Sequence, residues 1–558
     1  MDMYGRENLN ADILIIGGGV AGLTAAISVK EINPDLDILI VEKQTAGYSG
    51  KACRGGGVLQ YFDLQKITPE QFVEYHVHNI GCYLGDQELM YKYVSLNNHM
   101  LDKLVEWGAK LPKRADGSYA VIPTGPMTAM IGVDLDITVK LRRTAEKMGV
   151  RFIDKVAISD LLTADNKVAG ATGYSILDGT FYTFNAKSVI LATGSQNYRI
   201  GSMWGSGRGD GIAAAYRAGA EMRNPEFGNF AQLVKVKSHR EVVFGENFMY
   251  NRLGEHITKN FRSGPEPDIS STAIAEWFIQ MSSARGPIVL KPDERRGGSI
   301  ETIWDRPFGQ PFWKLNEQWA NKADGDDWEV CPLFIGEQSP VKVGHDMQTT
   351  IPGLYAIGDT SYCGSAAPGA VPAPPGRNRG SGILNAVFSG IMCAQSAADN
   401  ANNNALPPVD DKQVEECMTR AYAPLRRESG CNAKDVIRYV QKAVGPMERS
   451  VYMSDHRIAT ALKYVEKAKE LSASMKANDF HDLLACHEAD AMVLSAEMQF
   501  RASAMREESR GWFLREDFPD MDNKNWLKWI IVKKEGDTMK FDTEDVPYEK
   551  WPVKPPQV

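Results

Sequence analysis

The sequence has no long apolar run, no excess of basic residues and no basic segment ahead of an apolar one at its start. The 558-residue chain carries a formal net charge of −8, and no apolar stretch approaches the ~18 residues that span a bilayer. Mild acidity argues against nucleic acid as the main partner. We therefore expect no secretory signal, no direct membrane span, no nucleic-acid partner and a cytoplasmic location.

Closely spaced cysteine pairs are also missing. The eight cysteines are Cys53, Cys82, Cys331, Cys363, Cys393, Cys417, Cys431 and Cys486, and none forms a C-x-x-C pair. The spacing indicates neither a structural zinc site nor a cysteine-ligated iron–sulfur cluster, so we predict no bound metal. Scattered cysteines fit a reducing cytoplasm. If the chain exchanges single electrons with a cluster, that cluster belongs to another protein.

What the sequence does contain is a glycine turn between a β-rich run and a helical pattern. In ADILIIGGGVAGLTAAISVKE, Gly17, Gly19 and Gly22 form G-x-G-x-x-G. The first glycine permits a tight turn, the second lets backbone approach a pyrophosphate, and the third lets the helix pack on the strand. Glu42 ends the next β-rich run and can accept hydrogen bonds from ribose hydroxyls. The pattern predicts dinucleotide binding.

Two later segments favour FAD over NAD. SVILATGS (188–195) is a predicted strand ending at Gly194, and GLYAIGDTS (353–361) is another, ending at Gly358 and Asp359. We expect Asp359 to meet the ribityl chain. A helix beginning near Gly382 would direct its N-terminus at the N1/C2=O edge of the flavin.

Longer motifs make the chain resemble the fumarate reductase/succinate dehydrogenase flavoprotein family, including the adenylylsulfate reductase α subunit. They are CYLGDQELMYKYVSLNNHMLDKLVEWGAKL (82–111), GSGRGDGIAAAYRAGAEM (205–222) and ESRGWFLREDFPDMDNKNWLKW (508–529). The resemblance covers nearly the whole chain. It implies an α/β fold in which a Rossmann-like FAD-binding domain carries an inserted α+β capping domain and is followed by a C-terminal helical domain.

The expected domains follow the order of these motifs. They are the first part of the FAD-binding domain (1–232), the capping domain (233–345), the second part of the FAD-binding domain (346–400), the helical domain (405–530) and a C-terminal tail (531–558). NRLGEHI and SSARGPIVL resemble motifs of the capping domain. Apolar spacing predicts helices in AKDVIRYVQKAV, DHRIATALKYVEKAKEL and FHDLLACHEADAMVLSAEM, and ADNANNNALPPVDD is interpreted as a linker.

The resemblance also implies the set of residues that contact FAD. These are Gly17, Gly19, Val20, Ala21, Gly22, Glu42, Lys43, Ser49, Gly50, Lys51, Gly56, Val156, Ala157, Ala192, Thr193, Gly194, Asp210, Gly358, Asp359, Gly382, Ile383 and Leu384. Succinate dehydrogenases attach FAD through a histidine in R-S-H-x-x-A-x-x-G-G. Gly50 stands at that place in YSGKACRGGGVLQ, closer to the R-S-G-A-x-A of adenylylsulfate reductases, so we expect noncovalent FAD.

The expected substrate site departs further from the family. Gln338 in PLFIGEQSPVKVGHD stands where adenylylsulfate reductases have histidine in G-S-H-S-G, and His345 is the nearest replacement. The R-G-E-G-G of dicarboxylate reductases is absent, and its region offers Lys235, Lys237, His239 and Arg240. Arg379 in GRNRGSG matches the arginine that clamps a substrate carboxylate.

The catalytic candidates are therefore Arg379, Arg240, Lys237, His345, Gln338 and Arg285. Arg240, Lys237 and His345 are alternative proton donors, whereas the neutral amide of Gln338 can only form a hydrogen bond to the substrate. Arg377 and Arg379 could instead cap the carbonyls of their loop, and Arg285 could only brace the capping domain. His76 and His78 are expected on a helix surface, since i, i+2 positions do not share a face.

The leading hypothesis is an FAD-dependent oxidoreductase that moves a hydride or electron pair between flavin N5 and a small anionic substrate, coupled to a ferredoxin-like iron–sulfur subunit. One alternative is a non-catalytic electron-transfer subunit. Another is a free-standing dehydrogenase or reductase of a bulkier alicyclic or aromatic substrate. The sequence does not identify the substrate, the direction of the reaction or the oligomeric state.

Overall fold

The fold is taken from a computed structural model that describes residues 4–53, 57–79, 81–123, 127–200, 207–228, 231–236, 249–260, 271–291, 328–362 and 381–556. Its strands are β1 (Arg6–Ile16), β2 (Ile38–Glu42), β3 (Val58–Tyr61), β4 (Val121–Pro123), β5 (Ala129–Gly132), β6 (Arg151–Asp154), β7 (Val156–Ala164), β8 (Lys167–Ser175), β9 (Phe181–Leu191), β10 (Met222–Arg223), β11 (Ala231–Lys235), β12 (Met249–Tyr250), β13 (Val289–Leu290), β14 (Trp328–Phe334), β15 (Leu354–Ala356), β16 (Tyr452–Met453), β17 (Leu514–Arg515), β18 (Lys528–Glu535) and β19 (Thr538–Asp545).

Its helices are α1 (Val20–Ile32), α2 (Pro69–Asn79), α3 (Gln87–Ser95), α4 (Asn97–Glu106), α5 (Ile137–Lys147), α6 (Asp210–Ala218), α7 (Ser271–Ser282), α8 (Ser381–Asn403), α9 (Asp411–Arg426), α10 (Ala433–Val444), α11 (Met447–Ser450), α12 (Asp455–Ser472), α13 (Phe480–Met505) and α14 (Asn523–Trp526). No helix among these residues is long and apolar enough to cross a bilayer.

The central sheet joins pieces that are far apart in the sequence. Its order is β6-β2-β1-β9-β8-β7, and the C-terminal half of β9 also pairs with β15. The pairs β6-β2, β2-β1, β1-β9 and β9-β15 are parallel, so their carboxyl ends meet at one edge. Ligands of doubly wound sheets bind at that edge.

Alternation along the strands divides the core into two layers. Ile13, Ile15 and Ile40 lie in one cluster, whereas Leu14 and Ile16 lie in the other. Side chains of a strand alternate between faces, so apolar residues at successive positions indicate a sheet covered on both sides. Helices α1 and α8 contribute to the first layer, and α6, α13 and β18 contribute to the second.

The predicted C-terminal helices are confirmed as α10, α12 and α13. The predicted linker is shorter than expected. Helix α8 continues to Asn403, and Ala397, Ala398 and Ala401 are buried along it. These alanines pack where the asparagine-rich sequence suggested an exposed segment, so the irregular connection to α9 begins only after residue 403.

A small sheet, β10-β18-β19, closes the chain onto the FAD-binding part. Strand β18 runs across the predicted end of the helical domain at residue 530 and pairs with β10. The capping part is built on the sheet β11-β14-β13-β12 and on α7. The order of these parts matches the predicted α/β fold with a capping domain and a C-terminal helical domain.

Candidate flavin site

The glycine turn has the geometry that a bound pyrophosphate needs. Gly17 has φ +105°, and an added Cβ there would lie 2.6 Å from the Ala192 carbonyl oxygen. A Cβ on Gly22 would overlap the Gly17 carbonyl oxygen, so this glycine allows α1 to approach the strand. At Gly19, the residue before α1, a Cβ would meet no atom within 4 Å. That open space at a helix N-terminus fits a phosphate.

Glu42 stands at the end of β2 beside this turn. Its Oε2 accepts a hydrogen bond from Gly18 N at 2.8 Å, and its Oε1 accepts one from Gln44 N at 2.8 Å. Val156 and Ala157 begin β7 nearby, since Lys155 N donates to the Gln44 carbonyl. The carboxylate is therefore fixed at the edge of the sheet, in the position predicted to hold the ribose.

The ends of β9 and β15 meet at the same edge. Gly194 N donates to Thr360 Oγ1 at 2.9 Å, and Thr193 Oγ1 lies 3.2 Å from the same hydroxyl. Gly358 has φ +56°, and a Cβ there would come within 2.9 Å of the Ala21 side chain. Both segments therefore approach the first turn of α1 closely. Ala192, which lies between the strand and the turn, is only partly buried.

Helix α8 is anchored to this edge by its first turns. Ser389 Oγ accepts a hydrogen bond from Gly358 N at 2.8 Å. A Cβ on Gly390 would lie 2.9 Å from the Ala21 carbonyl oxygen, so α8 and α1 are in close contact. Gly382, Ile383 and Leu384 form the first turn of α8, and Leu384 is buried.

A lysine between two carboxylates lies on the loop that follows Gly50. Lys51 Nζ contacts a Glu337 carboxylate oxygen and lies 3.1 Å from Asp359 Oδ2. Gly50 has φ +94°, a backbone conformation that favours glycine whether or not a cofactor is attached at this position. The neighbouring Ser49 Oγ donates a hydrogen bond to the Thr45 carbonyl. The sequence motifs do not point to Glu337 as a site residue. An acid inside the apolar run PLFIGEQ is the signal that could have found it.

A second charged cluster lies beside Glu42. Lys43 Nζ is 2.8 Å from Asp210 and 3.2 Å from Glu488 on α13, and Arg199 and Arg208 also contact Glu488. Burial alone would lower the pKa of Lys43, but the two carboxylates outweigh it and raise that pKa above its ordinary value. Burial opposes ionisation of Glu488, yet the three cations hold its pKa below the usual range.

Gln338 is placed in the core rather than at an open surface. Its side chain is 0% exposed, and Nε2 donates to the carbonyls of Pro225 (3.2 Å) and Ser495 (3.0 Å). Its backbone pairs with Gln196. Both amide protons serve the fold, so the geometry does not favour the predicted substrate contact through them.

His345 is bound to an aspartate outside the sheet edge. Its Nε2 lies 2.8 Å from Asp86 Oδ2, and the next residue, Asp346, accepts a hydrogen bond from Ser396 on α8 at 2.7 Å. Ser396 is about 9 Å along α8 from Gly390, the residue that contacts Ala21, at 1.5 Å per residue. The bond to Asp86 raises the pKa of His345 above its ordinary value. Among the described residues, His345 forms no hydrogen bond or ion pair with a predicted flavin contact.

Arg285 lies in the capping part. It is half exposed, its Nη1 is 3.4 Å from Glu255 Oε2, and its carbonyl accepts a hydrogen bond from Arg252 N. These contacts agree with the bracing role. Lys235 ends β11. Gly56, Lys237, Arg240, Arg379, His239 and Arg377 lie outside the described residues.

Comparison with known proteins identifies the family of the chain. A family model for an FAD binding domain matches residues 12–241, and the model of the fumarate reductase flavoprotein C-terminus matches residues 438–558. The chain belongs to the fumarate reductase/succinate dehydrogenase flavoprotein family. This flavoprotein is therefore an FAD-dependent oxidoreductase, and the resemblance seen in the sequence is confirmed at that level.

Relatives and solved structures cover the flavoprotein almost completely. The fumarate reductase flavoprotein subunit of Mycobacterium tuberculosis is 26% identical over 97% of this chain and 98% of the relative. Adenylylsulfate reductase of Archaeoglobus fulgidus has a TM-score of 0.79 at 21% identity, covering 98% of this chain and 97% of that one. E. coli quinol fumarate reductase has a TM-score of 0.81 at 19% identity, covering 99% of both. The two structures support the fold alone.

Proposed function

We propose that this flavoprotein binds FAD noncovalently and transfers a hydride or electron pair between the flavin and a small anionic substrate. The observation that carries the proposal is the meeting of the glycine turn, the ends of β9 and β15 and the start of α8 at one sheet edge. Bound there, FAD would supply a hydride at N5. The chain would supply binding, orientation and charge.

Different residues along the edge would bind different parts of FAD. The open space at Gly19 and the N-terminus of α1 would hold the pyrophosphate, and Glu42 would hold the ribose. Asp359, which is in contact with Lys51, would meet the ribityl chain. Gly50 offers no imidazole for a covalent link, which supports noncovalent binding and the likeness to the adenylylsulfate reductase branch.

An anionic substrate is favoured by two considerations. The relatives and neighbours are named for reactions of fumarate and adenylylsulfate, both of which are anions. Arg379 matches the family position that clamps a carboxylate, and Arg240 and Lys237 offer further positive charge and alternative proton donors. Changed residues at 338 and in 234–251 support a substrate other than those of the named enzymes.

An iron–sulfur partner subunit completes the proposal. The relative from M. tuberculosis is named as a subunit, which implies an assembly of several chains for that protein. The cysteines of this chain are not spaced as cluster ligands, so an electron-carrying cluster would have to be on the partner. With the capping domain proposed at 233–345, the substrate would bind between that domain and the sheet edge.

The first experiment tests the cofactor and the substrate class. Acid precipitation of the purified protein should release all flavin into the supernatant. After reduction with dithionite, small enoates or sulfur oxyanions should reoxidise the flavin rapidly. Yellow colour in the pellet would contradict noncovalent binding, and reoxidation only by alicyclic enones or only through a cluster protein would favour one of the alternatives.

A variant pair tests the carboxylate clamp. Arg379→Lys keeps the charge but loses the planar two-pronged donor. Losing charge-assisted hydrogen bonds to a desolvated anion should cost roughly 2–4 kcal/mol, about a 30- to 1000-fold loss of kcat/KM, with FAD retained. Arg377→Lys is the matched control and should cost far less. Equal losses would mean that the pair serves the loop rather than the substrate.

A further inference from the structure

Lys51 and Glu337 form a contact that the family motifs do not contain. Lys51 stands where the adenylylsulfate reductase motif R-S-G-A-x-A has alanine, and Glu337 stands where G-S-H-S-G has serine. The two residues are 286 positions apart, yet the lysine ammonium contacts the glutamate carboxylate. Two departures of opposite charge that meet in space indicate one joint role.

The pair lies at the sheet edge proposed for FAD. Lys51 Nζ is also 3.1 Å from Asp359 Oδ2, three residues after the end of β15. The Glu337 side chain is only 2% exposed and that of Lys51 24% exposed. Glu337 N donates to the Gly228 carbonyl at 3.2 Å, which fixes the backbone that carries the carboxylate. Charges in such a poorly solvated position act on their surroundings more strongly than surface charges do.

We propose that Lys51 and Glu337 are an electrostatic pair that sets the reduction potential of the bound flavin. The inference rests on the proposed function, since it requires FAD at this edge. Two-electron reduction places negative charge on the flavin, which the Lys51 ammonium stabilises and the Glu337 carboxylate disfavours. The two side chains therefore act in opposite directions, and each limits the effect of the other.

The test is the two-electron midpoint potential of the purified holoprotein, measured by reduction against a reference dye. Lys51→Met should lower the potential, with at least a tenfold shift toward oxidised flavin, about 30 mV for a two-electron couple. Glu337→Gln should raise it. The double variant should return towards the wild-type value, and Lys51→Arg, which keeps the charge, should stay near it.

Lys342→Met is the matched control. Lys342 is also held by two carboxylates, Glu221 at 3.0 Å and Glu544 at 2.6 Å, and its side chain is 20% exposed, but its partners belong to the β10-β18-β19 region. Its loss should leave the potential unchanged. A general effect of removing a buried ion pair would shift both lysine variants alike.

Failure of the inference and failure of the proposed function give different results. Wild-type protein that retains no FAD would overturn the proposed function itself. Holoprotein whose potential moves in the same direction in Lys51→Met and Glu337→Gln, or moves in neither, would overturn only the pair. If Lys51→Met does not retain FAD, the rise in midpoint potential expected for Glu337→Gln still tests the proposal.

Discussion

Glycines of the same motif differ in what their positions tolerate. Gly19 has an extended backbone at φ −82° and open space where a Cβ would go. At Gly22 the same atom would overlap the Gly17 carbonyl oxygen. The first position has room for a ligand, and the second is needed by the fold.

Gly19→Val should therefore leave a folded protein that binds FAD at least about 100-fold more weakly, a loss of roughly 2.7 kcal/mol. The branched side chain enters only the space proposed for the pyrophosphate. Isothermal titration of the apoprotein with FAD measures the loss, and circular dichroism checks the fold. Gly22→Ala is the contrasting variant, and it should lower the free energy of unfolding by about 1–3 kcal/mol. Normal FAD affinity in Gly19→Val would place the pyrophosphate elsewhere.

His76 is the clearest correction at the scale of a single residue. The spacing predicts a helix-surface position, but His76 is 0% exposed in α2, and its ring nitrogens have no hydrogen-bond partner among the described residues. Phe72, Val73 and Val77 lie on the same buried face, so the spacing of these apolar residues was the signal. Burial lowers the pKa of His76 to about 3.

His76→Leu should reduce the acid sensitivity of the protein. Between the folded pKa of about 3 and the ordinary value of 6.5, only the unfolded state binds this proton. Stability therefore falls as the pH falls below 6.5, by up to about 1.4 kcal/mol per pH unit for one proton. Urea unfolding at pH 7 and pH 5 should show a smaller difference for the variant. An equal difference in both proteins would mean that His76 is protonated in the fold.

At the scale of elements, the C-terminal signature ESRGWFLRED is a buried ionic cluster. Arg506 lies 2.9 Å from Glu226 and 2.8 Å from Glu508, and Arg510 forms two hydrogen bonds to Glu508. All four side chains are completely buried or nearly so. The cluster joins the end of α13 to the short helical turn at Pro225–Phe227 and to α14. The motif that carries the family resemblance therefore serves the fold.

Glu508→Gln should destabilise the protein by about 3–5 kcal/mol, because two buried guanidinium groups would lose a shared charge partner. Glu507→Gln is a control at the neighbouring exposed position and should change the free energy of unfolding by less than about 0.5 kcal/mol. Chemical denaturation measures both. Similar small effects would contradict a stabilising role of the Glu508 carboxylate.

At the scale of the whole molecule, Glu488 ties the helical part to the FAD-binding part. It reaches from α13 to Lys43 after β2 and to Arg199 and Arg208 before α6. Its side chain is 6% exposed, so the three cations meet it away from bulk water. The ion pair between Glu488 and Lys43 therefore couples the docking of the helical part to the position of Glu42 at the end of β2.

Glu488→Gln should cost about 1–3 kcal/mol of stability, because three partly buried cations lose a shared carboxylate while Lys43 keeps Asp210. It should also weaken FAD binding, because Lys43 follows Glu42 directly. Glu470→Gln, which removes a half-exposed partner of Lys467, should cost no more than about 1 kcal/mol. Thermal unfolding with and without FAD measures both effects. An unchanged FAD-dependent increase in Tm would separate docking from cofactor binding.

The sequence predicted the α/β fold, the glycine turn and the main C-terminal helices correctly, because each depends on neighbours within a few residues. Gly17 must adopt a positive φ, and the spacing in AKDVIRYVQKAV is that of a helix. The substrate side stays a prediction. Gln338 and His345 are candidates by their position in a motif, and only packing shows that one is enclosed and the other bound to Asp86.

The sequence by itself determined that this chain folds around a dinucleotide edge and belongs among flavin-dependent oxidoreductases. Local periodicity and glycine geometry predicted the dinucleotide edge, since they act between nearby residues, and the resemblance of the longer motifs implied the flavin-dependent family. Only the tertiary structure decided which charges meet. Lys51 and Glu337 are separated by 286 positions, and a contact of that range depends on how the capping part returns to the sheet. The electrostatics of the site are therefore a property of the packed molecule.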